Sequence, residues 1–286
     1  MSDEVVHQPD TQRVTKLDDS GDDEGVTRAP DRPHTLAIDI GGTGLKASVL
    51  DAAGAMVADR VRIPTTYPMA PSGANGLVSR LVQLVAGLPE PDRVSAGFPG
   101  MVRGGVVFSA AHFVTKSGPG TDIDPKLLDA WTGFDLASAL QKEIGKPTKV
   151  ANDADVQGLA VVTGTGLELV ITLGTGFGTS FFLDGTLMPH LEIAHQPFRK
   201  NETYNEQIGE AARKQIGDER WNRRVMKAIA NMQDLFFYDH LFVGGGNAKR
   251  VTKSLLVERD GKVTLVDNSA GILGGIKLWD GNHLGV

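Results

Sequence analysis

The sequence predicts a duplicated α/β protein with two domains and a central cleft. The main observation is an internal repeat, since a strand, a glycine-threonine turn and a returning strand occur at 35–50 and again at 168–183. A third glycine turn follows an apolar strand at 241–243, a position at which open α/β sheets bind nucleotides. Between the two repeats, a strand passes into a helix at the acidic segment 149–155. Two halves that face each other would place this segment in the cleft, between two glycine turns.

The composition is that of a soluble globular protein. The chain has 286 residues, of which 41% are hydrophobic and 22% are charged, so it can bury a sizeable core. It contains no cysteine, which excludes disulfides, thiolate metal sites and a cysteine nucleophile. No apolar run reaches the roughly 18 residues of a membrane span, and a signal-peptide pattern is missing. We therefore expect a cytoplasmic protein without a membrane partner.

Charge is unevenly distributed along the chain. The formal net charge is −6, and residues 1–34 hold nine acids and four bases, so the rest of the chain is nearly neutral. We expect residues 1–33 to form a disordered acidic tail, because their polar composition cannot bury a core. A nearly neutral body does not favour a protein that coats DNA. No nucleic-acid partner is expected.

The first half begins with three predicted strands, at 35–40, 45–50 and 56–63. Gly41-Gly42-Thr43-Gly44 joins strand to strand, unlike the strand-to-helix passage of a dinucleotide fold or a P-loop. Its glycines allow backbone N–H groups to approach a phosphate closely, but a glycine hairpin without a ligand has the same pattern. The later segments predict a helix over 76–88, a strand over 93–98, a hairpin at 101–108, a loop over 109–125 suited to substrate contact, and a helix over 136–144.

The segment Lys149-Val150-Ala151-Asn152-Asp153-Ala154-Asp155 allows two interpretations. Asn152 or Asp153 is a favoured N-cap for the helix expected over 154–163. A carboxylate at a strand end between two phosphate loops is also where a phosphotransferase would keep its general base. Asp155 lies two residues farther into the helix, turned from Asp153 by about 200°. The two carboxylates are therefore not expected to share a proton.

The second half repeats the strand, glycine turn and strand, with the turn at 174–178. The segment His190-Leu191-Glu192-Ile193-Ala194-His195 follows, in which a carboxylate and an imidazole stand three residues apart. Both could face a sugar, since each can orient a hydroxyl; a surface acid and a core or capping histidine is the alternative. We expect the strand at 241–243 to end in Gly244-Gly245-Gly246-Asn247, and a buried final helix over 271–279.

A run of basic residues lies within 199–227. Arg220, Lys227 and either Arg223 or Arg224 fall on one face of a helix. Such a face is usually solvated, and several acids are interleaved with these bases. Within a nearly neutral body it could instead bind a polyanion.

Six segments in this order resemble the ROK family of sugar kinases, and above all its polyphosphate glucokinase branch. They are 39–44, Gly97-Phe98-Pro99-Gly100, 152–155, 173–179, Glu192-Ile193-Ala194-His195 and 241–247. Each is weak alone, but together they extend over residues 35–280. The resemblance implies an actin-like, ribonuclease H-like fold with a first domain at 34–151 and a second at 152–286, whose last helix, 271–280, packs back on the first. It also implies phosphoryl transfer from inorganic polyphosphate, ATP or both to the 6-hydroxyl of glucose or a related hexose.

The resemblance further implies a role for individual residues. Asp153 would deprotonate the sugar hydroxyl, and the sugar would be bound by Asn152, Glu192, His195 and His112. Asp39 would position Mg²⁺, an ion that prefers one carboxylate together with phosphates and water. Donor phosphates would be bound by Asp39, Gly41, Gly42, Thr43, Gly44, Lys46, Gly174, Thr175, Gly176, Gly178 and Thr179. Adenosine would lie near Gly244, Gly245, Gly246 and Asn247, and polyphosphate along Arg220, Arg223, Arg224 and Lys227. Zinc is not expected, because the cysteine cluster of zinc-binding ROK kinases is missing.

Two positions depart from the family pattern. Ala194 stands where the family usually has the glycine of Glu-x-Gly-His, and His112 stands where an asparagine contacts sugar. These departures leave open a kinase of another sugar, such as mannose or an amino sugar, and a non-catalytic sugar sensor. ROK repressors carry an N-terminal helix-turn-helix, a pattern that the acidic tail lacks. A homodimer would match a family in which dimers are common.

Overall fold

The structure, a computed structural model, describes residues 31–68, 73–118, 121–257, 262–266, 270–281, 283–284 and 286. The expected acidic tail lies outside the described residues, apart from 31–33. Residues 119–120 of the loop expected over 109–125 also lie outside them.

Each of the two repeats in the chain begins with three consecutive strands, and helices and further strands follow. The described strands are β1 (Thr35–Ile40), β2 (Gly44–Leu50), β3 (Val61–Pro64), β4 (Arg93–Phe98), β5 (Val102–Arg103), β6 (Val106–Val107), β7 (Phe134–Asp135), β8 (Thr148–Asn152), β9 (Leu167–Leu173), β10 (Phe177–Leu183), β11 (Thr186–Leu187), β12 (Pro197–Arg199), β13 (Glu202–Thr203), β14 (His240–Gly244) and β15 (Val263–Leu265). The described helices are α1 (Ala74–Val85), α2 (Pro125–Trp131), α3 (Leu136–Ile144), α4 (Asp153–Leu159), α5 (Tyr204–Ile208), α6 (Glu210–Ile216), α7 (Asp218–Phe236), α8 (Ser254–Val257) and α9 (Ala270–Lys277). Short 3₁₀ turns lie at Ile193–His195 and Ala248–Arg250.

Two five-stranded sheets have the same topology. Their strand orders are β3-β2-β1-β4-β8 and β11-β10-β9-β14-β15. In the first sheet β1 is antiparallel to β2 and parallel to β4, and in the second β9 is antiparallel to β10 and parallel to β14. The duplication predicted from the two glycine turns is therefore confirmed at the level of whole sheets.

Helices cover both faces of the sheets, which is why the central strands are almost wholly apolar. One core lies between the first sheet and helices α1 and α3, and a second lies between the other sheet and helices α5 and α7. A third cluster, which includes Val156 of α4 and Phe182 of β10, fills the space between the two halves. Helix α9 packs in the same layer, against α4 on one side and β1 and β4 on the other. In the described part of the chain, no helix is long and apolar enough to cross a membrane.

Two predicted elements are shorter in the structure than the sequence pattern suggested. The helix expected over 154–163 ends at Leu159. The segment beyond it is irregular, and the backbone N–H groups of Thr163 and Gly164 donate to the buried carboxylate of Glu168. The strand expected over 56–63 is confined to β3, and Met56 makes only an isolated bridge with Leu50.

Candidate active site

A cavity of about 590 Å³ lies between the two sheets. Its volume is in the range of sites that enclose a small ligand. Many of the predicted site residues line its wall, contributed by both halves of the chain: Asp39, Gly41, Gly42, Thr43, Lys46, His112, Asn152, Asp153, Gly174, Thr175, Gly176, Gly178, Glu192, His195, Gly245, Gly246 and Asn247. Residues separated by up to about two hundred positions in the chain therefore meet at one place.

Three other predicted donor residues support the wall without lining it. Gly44 closes the first turn, since its carbonyl accepts a hydrogen bond from Gly41 N at 3.0 Å. Thr179 is buried, and its hydroxyl donates to the carbonyl of Leu191 at 2.9 Å. Gly244 ends strand β14, directly before the third turn.

The four basic residues predicted to bind polyphosphate lie on helix α7 and do not line the cavity. Arg220 is exposed. Arg223 is ion-paired with Glu219 in the preceding turn, at 2.6 Å. Arg224 donates to the carbonyl of Gln207 at 2.9 Å, and Lys227 lies 5.9 Å from the centre of the Phe198 ring. Their proposed role therefore concerns a surface outside the cavity and stays a prediction.

Asp153 is the first residue of α4 and faces the cavity. The helix is capped by Asn152, whose side-chain oxygen accepts a hydrogen bond from Ala154 N at 2.8 Å. The same Ala154 N–H also donates to Asp153 Oδ1 at 2.9 Å, so one carboxylate oxygen of Asp153 contacts the helix start and the other is left for the cavity. Gly97 on β4 permits this approach, because a Cβ there would lie 3.3 Å from the Asp153 Cα.

The environment of Asp153 favours its protonated form. Burial, and next the negative charge of Asp39, raise the pKa of Asp153 to about 7, and the hydrogen bond from Ala154 N and the attraction of His190 oppose them. A carboxylate with a pKa near neutrality is well matched to accept a proton from a reacting hydroxyl.

One part of the cavity wall, called here the Glu192 end, is formed by Glu192, His195 and His112. Glu192 directly precedes the 3₁₀ turn that contains His195. Burial lowers the pKa of His112, and the nearby charge of Glu192 opposes this shift. The His112 ring also packs on the first glycine turn, with Cδ2 3.4 Å from the position that a Cβ on Gly42 would take. His112 thus contacts the first glycine turn and faces the Glu192 end.

His190 was not predicted as a site residue, although it lines the cavity. Its Nδ1 lies 3.1 Å from each carboxylate oxygen of Asp155, and its Nε2 lies 3.5 Å from Glu192 Oε2. The His-x-Glu spacing at 190–192 was the available signal. The partner Asp155 could not be chosen from the sequence, because it lies 35 residues away.

The second and third glycine turns are in contact with each other in the wall of the cavity. The side-chain amide of Asn247 donates to the carbonyl of Gly174 at 3.2 Å and to Glu210 Oε2 at 2.9 Å. The Arg213 guanidinium donates to both Glu210 oxygens, and this hydrogen bonding lowers the pKa of Glu210 to about 2. Sequence reasoning missed several residues of this cavity because no motif marks them: Arg60, Ser109, Gln157, Thr172, Asn205 and Glu210.

Asp39 and Lys46 are directly paired across strands β1 and β2. Lys46 Nζ lies 2.6 Å from Asp39 Oδ2, and the side chains of Lys46 and Asp39 are 32% and 27% exposed, respectively. Within the described residues no group of three or more metal-ligating side chains occurs. One carboxylate beside two glycine turns fits Mg²⁺ bound jointly with donor phosphates and water, and it does not fit a structural zinc site.

Comparison with known proteins identifies the family. The model of the ROK family matches residues 35–203, more than half of the chain. The chain belongs to the ROK family.

Individual ROK proteins are similar over most of the chain. A polyphosphate glucokinase of Mycobacterium tuberculosis is 28% identical over 255 residues, which cover 84% of this chain and 89% of that protein. The crystal structure of an inorganic polyphosphate/ATP-glucomannokinase from Arthrobacter sp. strain KM superposes with a TM-score of 0.70 and 29% identity, over 86% of this chain and 97% of that one. An N-acetylmannosamine kinase of Escherichia coli is 30% identical over 158 residues, 54% of this chain and 49% of that protein.

These similarities confirm the resemblance predicted from the six ROK segments. They also confirm the duplicated actin-like, ribonuclease H-like fold and an enzyme of the sugar kinase class.

Proposed function

We propose that this ROK protein is a Mg²⁺-dependent kinase that transfers a phosphoryl group from inorganic polyphosphate, ATP or both to the 6-hydroxyl of glucose or a related hexose. The observation that carries the proposal is Asp153, a partly buried carboxylate with a pKa raised to about 7. It faces a cavity between two glycine turns on one side and Glu192 and His195 on the other.

Asp153 acts as the general base. Its carboxylate accepts the proton of the sugar hydroxyl while that oxygen forms a bond to the terminal phosphorus of the donor. The bond from phosphorus to the bridging oxygen breaks, and the electron pair leaves with the shortened donor. Phosphoryl transfer depends mainly on alignment and charge stabilisation, so one base in a well-shaped cavity is sufficient.

The donor phosphates bind along the first two glycine turns. Backbone N–H groups of Gly42, Thr43 and Thr175 are available there for phosphate oxygens, and Lys46 adds a positive charge. Asp39 would hold Mg²⁺ together with phosphates and water. When bound, the ion neutralises charge on the transferring group.

The sugar binds at the Glu192 end. Glu192 and His195 fix hydroxyl groups by hydrogen bonds, since a carboxylate accepts and an imidazole can do either. Asn152 retains one amide hydrogen for a hydroxyl after donating to the carbonyl of Gly100 at 2.9 Å. His112 closes the sugar end against the first glycine turn, which places the accepting hydroxyl next to the donor.

Different observations favour the two donors. The contact of Asn247 with Gly174 brings a third glycine turn to the end of the cavity where the adenosine of ATP would extend from the phosphates. The similarity to a polyphosphate glucokinase and a polyphosphate/ATP-glucomannokinase and the basic face of α7 favour polyphosphate. We propose that both donors are used.

A matrix of donors and sugars tests the proposal. Purified protein with Mg²⁺ is assayed with ATP or polyphosphate against glucose, mannose, N-acetylglucosamine and N-acetylmannosamine, and sugar phosphate is quantified directly. Turnover of at least one hexose is expected. Calorimetric binding of a sugar without turnover by either donor would instead support a sugar sensor, and an amino-sugar product would reassign the substrate.

A further inference from the structure

A buried chain of three side chains runs along the wall of the cavity beside the proposed base. It begins at Asp155 in α4, passes through His190 and ends at Glu192. The side chains of Asp155 and His190 are 4% and 2% exposed, and that of Glu192 is 24% exposed. We propose that His190 is a positioning residue of the sugar site, which is fixed by Asp155 and in turn fixes the carboxylate of Glu192 for hydroxyl binding; this inference rests on the proposed function.

The first contact explains why Asp155 can be buried. A buried carboxylate requires a charged or hydrogen-bonding partner to offset its desolvation. His190 Nδ1 lies 3.1 Å from both Asp155 oxygens, so Nδ1 carries a hydrogen and donates to them. This contact fixes the ring plane and the direction of Nε2.

The second contact goes beyond support of Asp155. His190 Nε2 is buried, has no hydrogen-bond partner among the described residues, and lies 3.5 Å from Glu192 Oε2. A ring that served only Asp155 could present a lone pair at Nε2, but a lone pair would repel the Glu192 carboxylate. Both ring nitrogens face carboxylates, so both carry hydrogens and the ring is an imidazolium.

The electrostatics agree with this geometry. Burial alone lowers the pKa of His190, but the hydrogen bond to Asp155 and the negative charges of Asp155 and Glu192 outweigh it and raise that pKa to about 10. Burial likewise favours the neutral form of Glu192, yet His190 holds the pKa of Glu192 below its ordinary value. Glu192 therefore stays ionised and accepts hydrogen bonds from sugar hydroxyls.

The backbone keeps the chain of contacts in place. The hydroxyl of Thr179 on β10 donates to the carbonyl of Leu191, the residue between His190 and Glu192. Thr179, which the family pattern predicted as a donor ligand, therefore has a structural role in which it anchors the segment to the second sheet.

The test compares sugar binding without donor and steady-state kinetics in the full chain. His190→Gln removes the positive charge. Binding of glucose, mannose and N-acetylmannosamine is measured by calorimetry. We expect the Kd and KM for the best sugar to rise about tenfold or more, with kcat reduced about threefold at most and the donor KM unchanged. Sugar affinity equal to that of the wild type would overturn the inference.

A double-variant cycle separates positioning from general structural support. If His190 acts through Glu192, then adding His190→Gln to Glu192→Gln should weaken sugar binding about twofold at most beyond Glu192→Gln alone. Full additivity of the two changes would contradict the proposal. His34→Gln is the matched control, since His34 is also buried at 9% exposure but does not line the cavity.

The pH dependence of sugar binding gives an independent readout. Asp155 and Asp153 face His190, and His112 and His195 face Glu192. Without His190, burial raises the pKa of Glu192, so the loss of sugar affinity on acidification should begin at a higher pH than in the wild type. An unchanged acid limb in a folded variant would reject the inference.

Two further outcomes remain interpretable. If His190→Gln does not fold, the variant Asp155→Asn combined with His190→Gln replaces the buried ion pair by a neutral pair, and the same weakening of sugar binding is expected. If the wild-type protein neither binds nor phosphorylates any tested sugar, the proposed function fails. If it does both and the variants match it, only the role of His190 fails.

Discussion

At the scale of single residues, the position of Asp153 explains how one helix start serves two purposes. Asn152 provides the cap, and Asp153 faces the cavity from the first turn. Asp155 is committed to His190 and is buried, so it cannot replace Asp153 as the base. From the sequence, Asp153 and Asp155 were distinguished only by the direction in which each leaves the helix. The structure also gives them different partners.

Replacing Asp153 by Asn should lower kcat at least a hundredfold, because the amide cannot accept the hydroxyl proton. Sugar Kd should change little, since the shape is preserved. Steady-state kinetics and calorimetry measure the two effects. Asp129→Asn, an exposed change on α2, is the control. A variant at Asp153 that retained activity would remove this residue from the mechanism.

The pH profile should show the raised pKa of Asp153. The carboxylate is protonated below about pH 7 and cannot act as a base, so kcat/KM should rise with pH and level off above about 7. On the acid side, log(kcat/KM) should rise by about one for each pH unit, as for a single titrating group. A profile that is flat between about pH 5.5 and pH 8 would contradict a base with a raised pKa.

At the scale of elements, α4 and α9 form the layer between the two sheets. Close packing there depends on glycine, because a Cβ on Gly274 would overlap the carbonyl oxygen of Val156. The carbonyl of Gly275 accepts a hydrogen bond from the Ser95 hydroxyl in the first sheet at 2.5 Å. The last helix therefore joins the start of the second half to the first sheet, and we propose that it belongs structurally to both.

Gly274→Ala should destabilise the protein by about 3 kcal/mol, since the contact is with backbone and cannot be relieved by a side-chain rotation. Urea unfolding measures the change. Gly87→Ala is the control, because a Cβ at that position would have open space around it in the described part of the chain. Equal stability of the two variants would contradict the tight α4–α9 packing.

Helix α7 presents the basic face predicted to bind polyphosphate. Arg220 and Lys227 are exposed on this face and lie outside the cavity. Only a long polyanion could contact these two side chains and the second glycine turn at the same time. Arg223 and Arg224 are held by Glu219 and by the carbonyl of Gln207, so they are less available.

Reversing two charges, Arg220→Glu with Lys227→Glu, should raise the KM for long-chain polyphosphate about tenfold and leave the KM for ATP within about twofold. The effect should shrink at high salt, because exposed charges are screened. Lys126→Glu, an exposed change on α2, is the control. An equal increase in KM for both donors would indicate that the substitutions disturb the fold and do not act through polyphosphate binding.

At the scale of the whole molecule, the duplication places equivalent glycine turns on opposite sides of one cavity. The strand order of the two sheets is the same, so each contributes a turn at the carboxyl end of its central strand, β1 or β9. We propose a domain boundary near 151–152, with 34–151 and 152–286 as the two units. The expected cytoplasmic location and homodimer stay predictions.

A sugar that contacts both halves should stabilise the folded chain. At a concentration of about one hundred times Kd, the expected gain is about 2.7 kcal/mol, which is visible as a higher Tm. L-Glucose at the same concentration controls for nonspecific solute effects. A Tm that responds equally to both enantiomers would contradict specific binding in the cavity.

Local patterns in the sequence determined the strands, the glycine turns, the cap at Asn152 and the position of Asp153. These features depend on neighbouring residues, through hydrogen bonds and backbone freedom within a few positions. The family pattern extended this to Glu192, His195 and the donor turns, and the cavity gathers most of them. Boundaries were less predictable, since α4 ends at Leu159 and the residues after it bind the side chain of Glu168 instead of continuing the helix.

Only the tertiary structure decided which side chains act on one another. His190 meets Asp155 across 35 residues, Asn247 meets Gly174 across 73, and α9 is inserted beside α4 from the far end of the chain. Such contacts form because a buried polar group needs a hydrogen-bonding or charged partner, and the folded backbone determines which residues are close enough to provide one. The sequence thus determined the chemical groups of this protein, and the fold determined their partners, their burial and the pKa of Asp153.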